Sequence, residues 1–195
     1  MTAPRIPPGT RADIGFINHG LARLIGLAAG GGPPNIFTTL GRHPSFQAWL
    51  RFAGKLMPGG RLPRADSELL ILRVAHVTGS AYEWGHHERL GRAAGLTADE
   101  IARVRTGAEA DGWSPRQALL LRTADALISG YDLDDAQWAA LAAELSEKEL
   151  IEVPLLVGHY VMLAMTLNAL RVQPETAPLG SQPRLVKIAE KVLRR

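Results

Sequence analysis

Two helix-length segments of this 195-residue chain are apolar on nearly every face. Residues 65–77 read ADSELLILRVAHV, and residues 150–170 read LIEVPLLVGHYVMLAMTLNAL. A helix that is hydrophobic all round must be buried on most sides, so both segments have to lie inside a helical fold or an oligomer. No stretch alternates apolar and polar residues regularly enough for a strand. We therefore predict an all-α protein.

Breaks rich in glycine and proline divide the chain into helices. They fall at residues 30–35, 57–60, 63, 95 and 173–183, where they interrupt helical periodicity. Thr97 with Glu100, and Ser146 with Glu149, have the spacing of capping boxes, which open helices. The predicted helices span residues 13–28, 44–56, 65–77, 81–94, 98–107, 115–129, 134–144, 147–171 and 184–193.

The chain length suits a single well-buried domain, which we assign to residues 1–182, followed by a basic amphipathic tail helix at 183–195. A run of residues beginning at Leu70 is echoed 49 positions later, from Leu119. This echo indicates one helical hairpin used twice. More apolar helical surface is present than one small domain usually hides, so we expect a homo-oligomer.

Charge and composition narrow the possible partners and the location. The net charge is +3, but the last dozen residues carry +4 and the remainder −1. A short basic tail differs from the basic folded face that binds nucleic acid, so we predict no nucleic-acid partner. We find no uninterrupted apolar run of membrane-spanning length and no signal-peptide pattern at the N-terminus, so we predict no membrane association and a cytoplasmic location.

One helix carries a hydroxyl, a carboxylate and an imidazole on the same face. If residues 80–91 form one helix, the side chains of Ser80, Glu83, Trp84 and His87 fall within about 100° of each other. Tyr82 and His86 share a different face. Glu83 and His87 are four residues apart, so the carboxylate can hydrogen-bond the imidazole and raise its basicity. Such a pair suits proton abstraction.

The spacing of these residues resembles a known family. Glu68, Ser80, Glu83 and His87 follow each other at intervals of twelve, three and four residues. The alkylhydroperoxidase D-like, or carboxymuconolactone decarboxylase-like, proteins have the same spacing, and their peroxidase branch reads E, C, C, H at these places. The segments LPRADSELLILRVA, YEWGHH and AGLTADEI, and the HP pair at positions 43 and 44, resemble the family as well. The resemblance covers residues 30–173.

The resemblance implies a helical bundle assembled as a symmetric oligomer, with Glu68 in a proton relay. It also implies kinship with lyases and decarboxylases that open or decarboxylate lactone acids without metal. The chain departs from the peroxidase branch because it contains no cysteine. A thiolate attacks the peroxide in that branch, and neither Ser80 nor Glu83 can replace it, so thiol peroxidase activity is excluded.

We predict a cofactor-free acid/base lyase or decarboxylase that acts on a small carbonyl, lactone or carboxylate compound. His87 is the predicted general base or acid, Glu83 tunes it or shares its proton, and Glu68 orients the site. No metal site is predicted. The side chains predicted to bind substrate are Ser80, Tyr82, Trp84 and His159.

Two other functions remain open at this point. The loss of both cysteines also fits a non-catalytic binding or scaffold protein descended from the peroxidase branch. A metal-dependent enzyme could use Glu83, His86 and His87, since the spacing of Glu83 and His86 occurs in di-iron carboxylate bundles. Those bundles need a second such motif and two further glutamates, which we do not find in the sequence.

Overall fold

The computed structural model describes residues 3–29 and 31–175, and the predicted tail helix at 183–195 lies outside these described residues. The described residues form nine α-helices and no strand, which confirms the predicted all-α class. The helices are α1 (Arg11–Ala28), α2 (Asn35–Leu40), α3 (Phe46–Leu56), α4 (Arg64–Val77), α5 (Ala81–Ala93), α6 (Ala98–Arg103), α7 (Pro115–Gly130), α8 (Asp135–Glu144) and α9 (Glu147–Leu170).

Each of the eight helices predicted within the described residues is present. The structure differs from the prediction in one additional helix and in the end of α6. Helix α2 was not predicted, because its six residues directly follow the break at 30–35 and are too few to show a period. Helix α6 ends at Arg103 rather than at residue 107. Gly107 has a φ of +99°, which is incompatible with continuing the helix.

The described chain divides into two compact units. Among the described residues, the first contains residues 3–29, 31–59 and 169–175, and so includes α1, α2 and α3. Its aromatic side chains cluster, with ring centroids of Phe37, Phe46 and Trp49 separated by 5.9 to 6.3 Å. Asn35 ties the last described residues to this unit, since its backbone N–H donates to the Glu175 carboxylate at 2.7 Å.

The second unit, Gly60–Asn168, carries every predicted site residue. Helix α4 packs on α5 and α7. Its consecutive residues 69–72 are buried, which explains why this helix is apolar all round. Arg73 on α4 joins it to α7 through two hydrogen bonds to the Asp125 carboxylate, at 2.6 and 3.0 Å. The two segments of the predicted repeat form consecutive helix pairs, α4 with α5 and α7 with α8.

Glu152 on α9 fixes the backbone at the entrance to α4. Its carboxylate accepts the backbone N–H of Arg61 at 2.5 Å and that of Leu62 at 3.2 Å, and the side chain is buried. Helix α4 begins two residues after Leu62. Glu152 therefore holds in place the turn from which the site-bearing helix starts.

Helix α9 contains the apolar segment 150–170 noted in the sequence. Among the described residues it is the one helix long and apolar enough to cross a membrane, with a mean hydropathy of 1.7 over its most apolar window. Within that window 56% is buried inside the protein, and core helices of soluble proteins have the same length and composition. The predicted cytoplasmic location, the single domain at 1–182 and the predicted self-association stay predictions.

Candidate active site

Glu68 on α4 and His87 on α5 meet across the interface of these two helices. Nδ1 of His87 lies 2.7 Å from Oε2 of Glu68. The other oxygen of the same carboxylate, Oε1, lies 2.8 Å from Nη2 of Arg64, one turn earlier on α4. Glu68 is completely buried and His87 is 8% exposed. One buried carboxylate therefore holds both a guanidinium and an imidazole.

This arrangement sets the orientation of the imidazole. A carboxylate that is paired with a guanidinium accepts hydrogen bonds, so in this contact Nδ1 of His87 is the donor. In the neutral ring, a proton on Nδ1 leaves the lone pair on Nε2. Glu68 thus contacts Nδ1 of His87, which leaves Nε2 as the nitrogen able to take up a proton, and the orienting role of Glu68 in catalysis stays a prediction.

The predicted hydrogen bond between Glu83 and His87 is wrong. Nδ1 of His87 is directed to Glu68, and neither oxygen of Glu83 has a hydrogen bond of ordinary geometry to the described residues. Sequence spacing placed Glu83 and His87 on one face of α5, but the packing of α4 against α5 supplied His87 with another acceptor. Glu83 is 2% exposed, and this burial raises its pKa from 4.5 to about 8. At neutral pH Glu83 is mainly a carboxylic acid.

Ser80 and Glu83 have the sequence of a capping box and do not form one. In two other places the same pattern caps a helix: the Glu100 carboxylate accepts the Thr97 N–H at 2.8 Å, and Glu149 accepts that of Ser146 at 2.9 Å. Ser80 precedes α5 but its hydroxyl makes no capping bond.

The Ser80 hydroxyl is fully buried and without a hydrogen bond to the described residues. It is close enough to Glu83 to lower the pKa of that carboxyl, which offsets part of the effect of burial. Two polar side chains that could have capped α5 are instead held in the interior, where polar groups without partners are costly.

Tyr160 on α9 contacts His87 and was not among the residues selected from the sequence. Its ring meets the His87 ring edge-on, with 5.0 Å between centroids. Burial raises the pKa of its hydroxyl, and the negative charges of Glu68 and Glu83 raise it further, so Tyr160 lies near both carboxyls and stays neutral. The available signal was its position next to His159 in an otherwise apolar helix.

His159, which we predicted to bind substrate, is buried beside Tyr160, with the two rings edge-on at 5.2 Å. Burial lowers the pKa of His159 from 6.5 to about 4, so the ring is neutral at physiological pH. Arg64, which pairs with Glu68, was also not selected, although it lies four residues before Glu68 and such pairs are common on helices.

The remaining predicted binding residues contact other groups. The Tyr82 ring is stacked on that of His86 at 4.6 Å, as expected for two residues on a different face of α5. Trp84, which we placed on the same face as His87, instead lies against the His76 ring at 6.1 Å and under the guanidinium of Arg105 at 3.9 Å. A face defined by helix angles spans about 100°, wide enough for its edges to contact different neighbours.

A metal-dependent site finds little support in this geometry. His86 is stacked on Tyr82 while His87 is bound to Glu68, so the two histidines contact different groups. Within residues 3–29 and 31–175, no three histidine, aspartate or glutamate side chains come close enough together to hold a metal ion.

The segment that carries Glu68, Ser80, Glu83 and His87 also matches a family model. Residues 44–126 match the carboxymuconolactone decarboxylase family. This match confirms the resemblance inferred from the motif spacing. The carboxymuconolactone decarboxylase match ends within α7, so Tyr160 and His159 lie outside it. No curated protein matches the chain.

Solved structures with the same fold are alkylhydroperoxidase D-like. A peroxidase-related protein with an alkylhydroperoxidase AhpD core from Ralstonia eutropha superposes with a TM-score of 0.79 at 18% identity, covering 90% of this chain and 94% of its own. A putative antioxidant defence protein AhpD from Agrobacterium tumefaciens gives 0.63 at 20% identity, covering 69% of this chain and 92% of its own.

A third structure is a cysteine-to-alanine variant of the debrominase Bmp8 in complex with 2,3,4-tribromopyrrole. Its TM-score is 0.73 at 19% identity, with 89% of this chain and 92% of the other covered. At such identities the superpositions establish the alkylhydroperoxidase D-like helical fold and nothing about the reaction.

Proposed function

We propose that this carboxymuconolactone decarboxylase-family protein is a cofactor-free acid/base enzyme, a lyase or decarboxylase that acts on a small carbonyl, lactone or carboxylate compound. The observation that carries the proposal is the buried hydrogen bond between Glu68 and His87 at 2.7 Å. A histidine oriented by a carboxylate is a common general base, because the carboxylate fixes the tautomer and stabilises the imidazolium that forms.

The proposed step is a proton transfer at carbon. Nε2 of His87 removes a proton from the carbon next to a carbonyl group; the C–H bond breaks, an N–H bond forms, and the electron pair moves onto the carbonyl oxygen. Glu83, protonated at neutral pH, donates a hydrogen bond to that oxygen as negative charge develops there. In a lyase reaction the enolate then collapses: the carbonyl bond re-forms, a carbon–carbon double bond forms, the bond from the adjacent carbon to the leaving group breaks, and His87 gives its proton to the leaving group.

A small-molecule substrate is supported by one structural neighbour, since the debrominase Bmp8 was solved with a small cyclic compound bound. Thiol peroxidase activity is no part of the proposal, because the chain contains no cysteine. Self-association also belongs to the proposal, supported by exposed apolar side chains along α9, among them Ile151, Leu155 and Met165.

Deuterium exchange tests the proton transfer without knowledge of the full reaction. In D₂O, the wild type is expected to accelerate loss of the α-proton signals of small ketones and lactones, followed by ¹H NMR. His87→Gln is expected to lower the rate by about 10²- to 10⁴-fold, the usual contribution of a general base. His86→Gln is the matched control, because this neighbouring histidine is stacked on Tyr82 and should leave exchange unchanged.

A non-catalytic binding or scaffold protein is the second candidate, and one observation favours it. Glu68, Ser80 and Glu83 are all buried to 2% exposure or less, more than an active site open to substrate would require. If the wild type exchanges no α-protons faster than buffer, or if His87→Gln exchanges them as fast as the wild type does, the acid/base proposal fails and this candidate takes its place.

A further inference from the structure

We propose that the ligand of this site is an uncharged carbonyl compound, a ketone, aldehyde, lactone or ester, whose carbonyl oxygen is held by the Ser80 hydroxyl and the Glu83 carboxyl. This inference rests on the proposed function and narrows it, since it selects uncharged carbonyl compounds over ionised carboxylates. It therefore favours proton transfer or lactone chemistry over decarboxylation of an ionised acid.

The first support is the pair of polar side chains left without partners. The Ser80 hydroxyl and both oxygens of Glu83 are buried; Ser80 lies near enough to lower the pKa of Glu83, but neither side chain makes a hydrogen bond of ordinary geometry to the described residues or caps α5. Buried polar groups in native proteins nearly always have a partner, which can be a water or a ligand. A hydroxyl and a carboxylic acid together offer two donors to one carbonyl oxygen.

The second support is the balance of charge around these two side chains. Glu68 balances the charge of the Arg64 guanidinium through Nη2 at 2.8 Å, while the buried Nη1 of Arg64 makes no hydrogen bond to the described residues. His87 donates Nδ1–H to the same carboxylate. Tyr160, whose pKa is raised by burial and by its nearness to the carboxyl groups of Glu68 and Glu83, is an uncharged phenol.

His159, next to Tyr160, adds no positive charge, since burial keeps its ring neutral. The side chains named here thus comprise one ion pair, Arg64 with Glu68, and the uncharged Tyr160 and His159. A carboxylate brought beside Glu83 would lose its hydration and would meet only a guanidinium whose charge Glu68 already balances, which is unfavourable in a buried site. An uncharged carbonyl loses far less hydration and gains the two donors.

Matched pairs of probes that share a skeleton and differ in charge test this preference. Methyl levulinate with levulinate, methyl pyruvate with pyruvate, and δ-valerolactone with 5-hydroxyvalerate can each be titrated into the wild type while the His87 ring signals are followed by NMR. The uncharged member of each pair is expected to bind at least about tenfold more tightly, a difference of about 1.4 kcal/mol.

The variant Glu68→Gln gives a more stringent test of the charge preference, because it leaves the Arg64 guanidinium without its carboxylate. In this variant the preference should shift toward the acid member of each pair. Glu88→Gln is the matched control, since Glu88 forms a similar ion pair with Arg92 on the exposed face of α5 at 2.7 Å and should leave the preference as in the wild type.

The inference is overturned if the acids bind as tightly as their uncharged partners, if neither member of any pair binds, or if Glu68→Gln leaves the preference unchanged. Binding is measured here without turnover, so the two proposals can fail separately. If esters and lactones bind preferentially but no α-proton exchange occurs, the acid/base function is refuted and the uncharged ligand class is retained. Exchange combined with a preference for acids would do the reverse.

Discussion

Glu68, rather than Glu83, holds His87. Nδ1 of His87 lies 2.7 Å from the Glu68 carboxylate on the neighbouring helix, although Glu83 is only four residues away on the same helix. The two carboxyls consequently have different states: Glu68 is an ion-paired carboxylate bound to Arg64, and Glu83 is a buried acid. A buried carboxylic acid close to an ion-paired carboxylate is an arrangement found in acid/base sites.

Removal of the Glu68 side chain should cost more stability than removal of an ion pair of the same spacing elsewhere. Glu68→Ala leaves Arg64 and His87 without their partner in the interior, so we expect a loss of about 3 kcal/mol in the free energy of unfolding, measured by urea titration. Glu88→Ala, which breaks the exposed pair with Arg92, should cost no more than about 0.5 kcal/mol. Equal losses for the two variants would show that burial of Glu68 contributes nothing extra.

Glu83 should make the protein less stable as pH rises. Its pKa is raised by burial from 4.5 to about 8, so over this range the folded protein keeps a proton that the unfolded chain has lost. The contribution of protonated Glu83 to the free energy of unfolding is fully present below pH 4.5. It decreases as pH rises and is lost above about pH 8, by up to about 1.4 kcal/mol per pH unit. Glu83→Gln removes this pH dependence. In urea titrations, the free energy of unfolding of the variant relative to the wild type should therefore increase as pH rises from 4.5 to about 8.

Neutral His159 should make the protein more stable as pH rises, in a lower pH range than the opposite effect of Glu83. Burial lowers its pKa from 6.5 to about 4, so its contribution is present above pH 6.5 and is lost as pH falls through about 4. Between pH 4.5 and 6.5 the effects of His159 and Glu83 should largely cancel. His159→Gln should therefore expose a continuous fall in stability from pH 4.5 to about 8. A variant with the wild-type pH profile would contradict the assigned burial effect on His159.

Glu152 should position the site from a distance. Glu152→Ala leaves the backbone N–H groups of Arg61 and Leu62 without an acceptor, which should cost about 2 kcal/mol, typical for buried hydrogen bonds to a charged group. Because these residues lead into α4, the NMR signals of His87 should shift as well. Glu152→Gln keeps one acceptor oxygen and should recover part of both effects. Unshifted His87 signals in the alanine variant would limit Glu152 to a purely local role.

The exposed apolar side chains of α9 should mediate the proposed self-association. Leu155 is 46% exposed and Met165 is 61% exposed on this helix. Lysine at both positions would place charge in an apolar interface and should dissociate the oligomer, as measured by sedimentation velocity. Trp138→Lys, a similarly exposed apolar residue on α8, serves as the control. A wild type that is monomeric at all concentrations would refute the proposal.

The positions of most helices followed from local chemistry in the sequence. The capping boxes at Thr97 and Ser146 could be predicted because they involve residues only three apart. The burial of residues 65–77 could be predicted because this segment is apolar on nearly every face. Helix α2 was missed because six residues after a glycine- and proline-rich break carry no periodic signal.

The sequence by itself determined the all-α fold, the absence of thiol chemistry, and the location of Glu68, Glu83 and His87 on two consecutive helices, with Ser80 just before the second, since these depend on residue type and short-range spacing. Tertiary packing alone decided which carboxylate holds His87, that Glu83 is left protonated, and that Tyr160 joins the site from α9. The physical reason is that hydrogen-bond partners across helices and the loss of hydration on burial depend on distances between segments far apart in sequence, which no local pattern encodes.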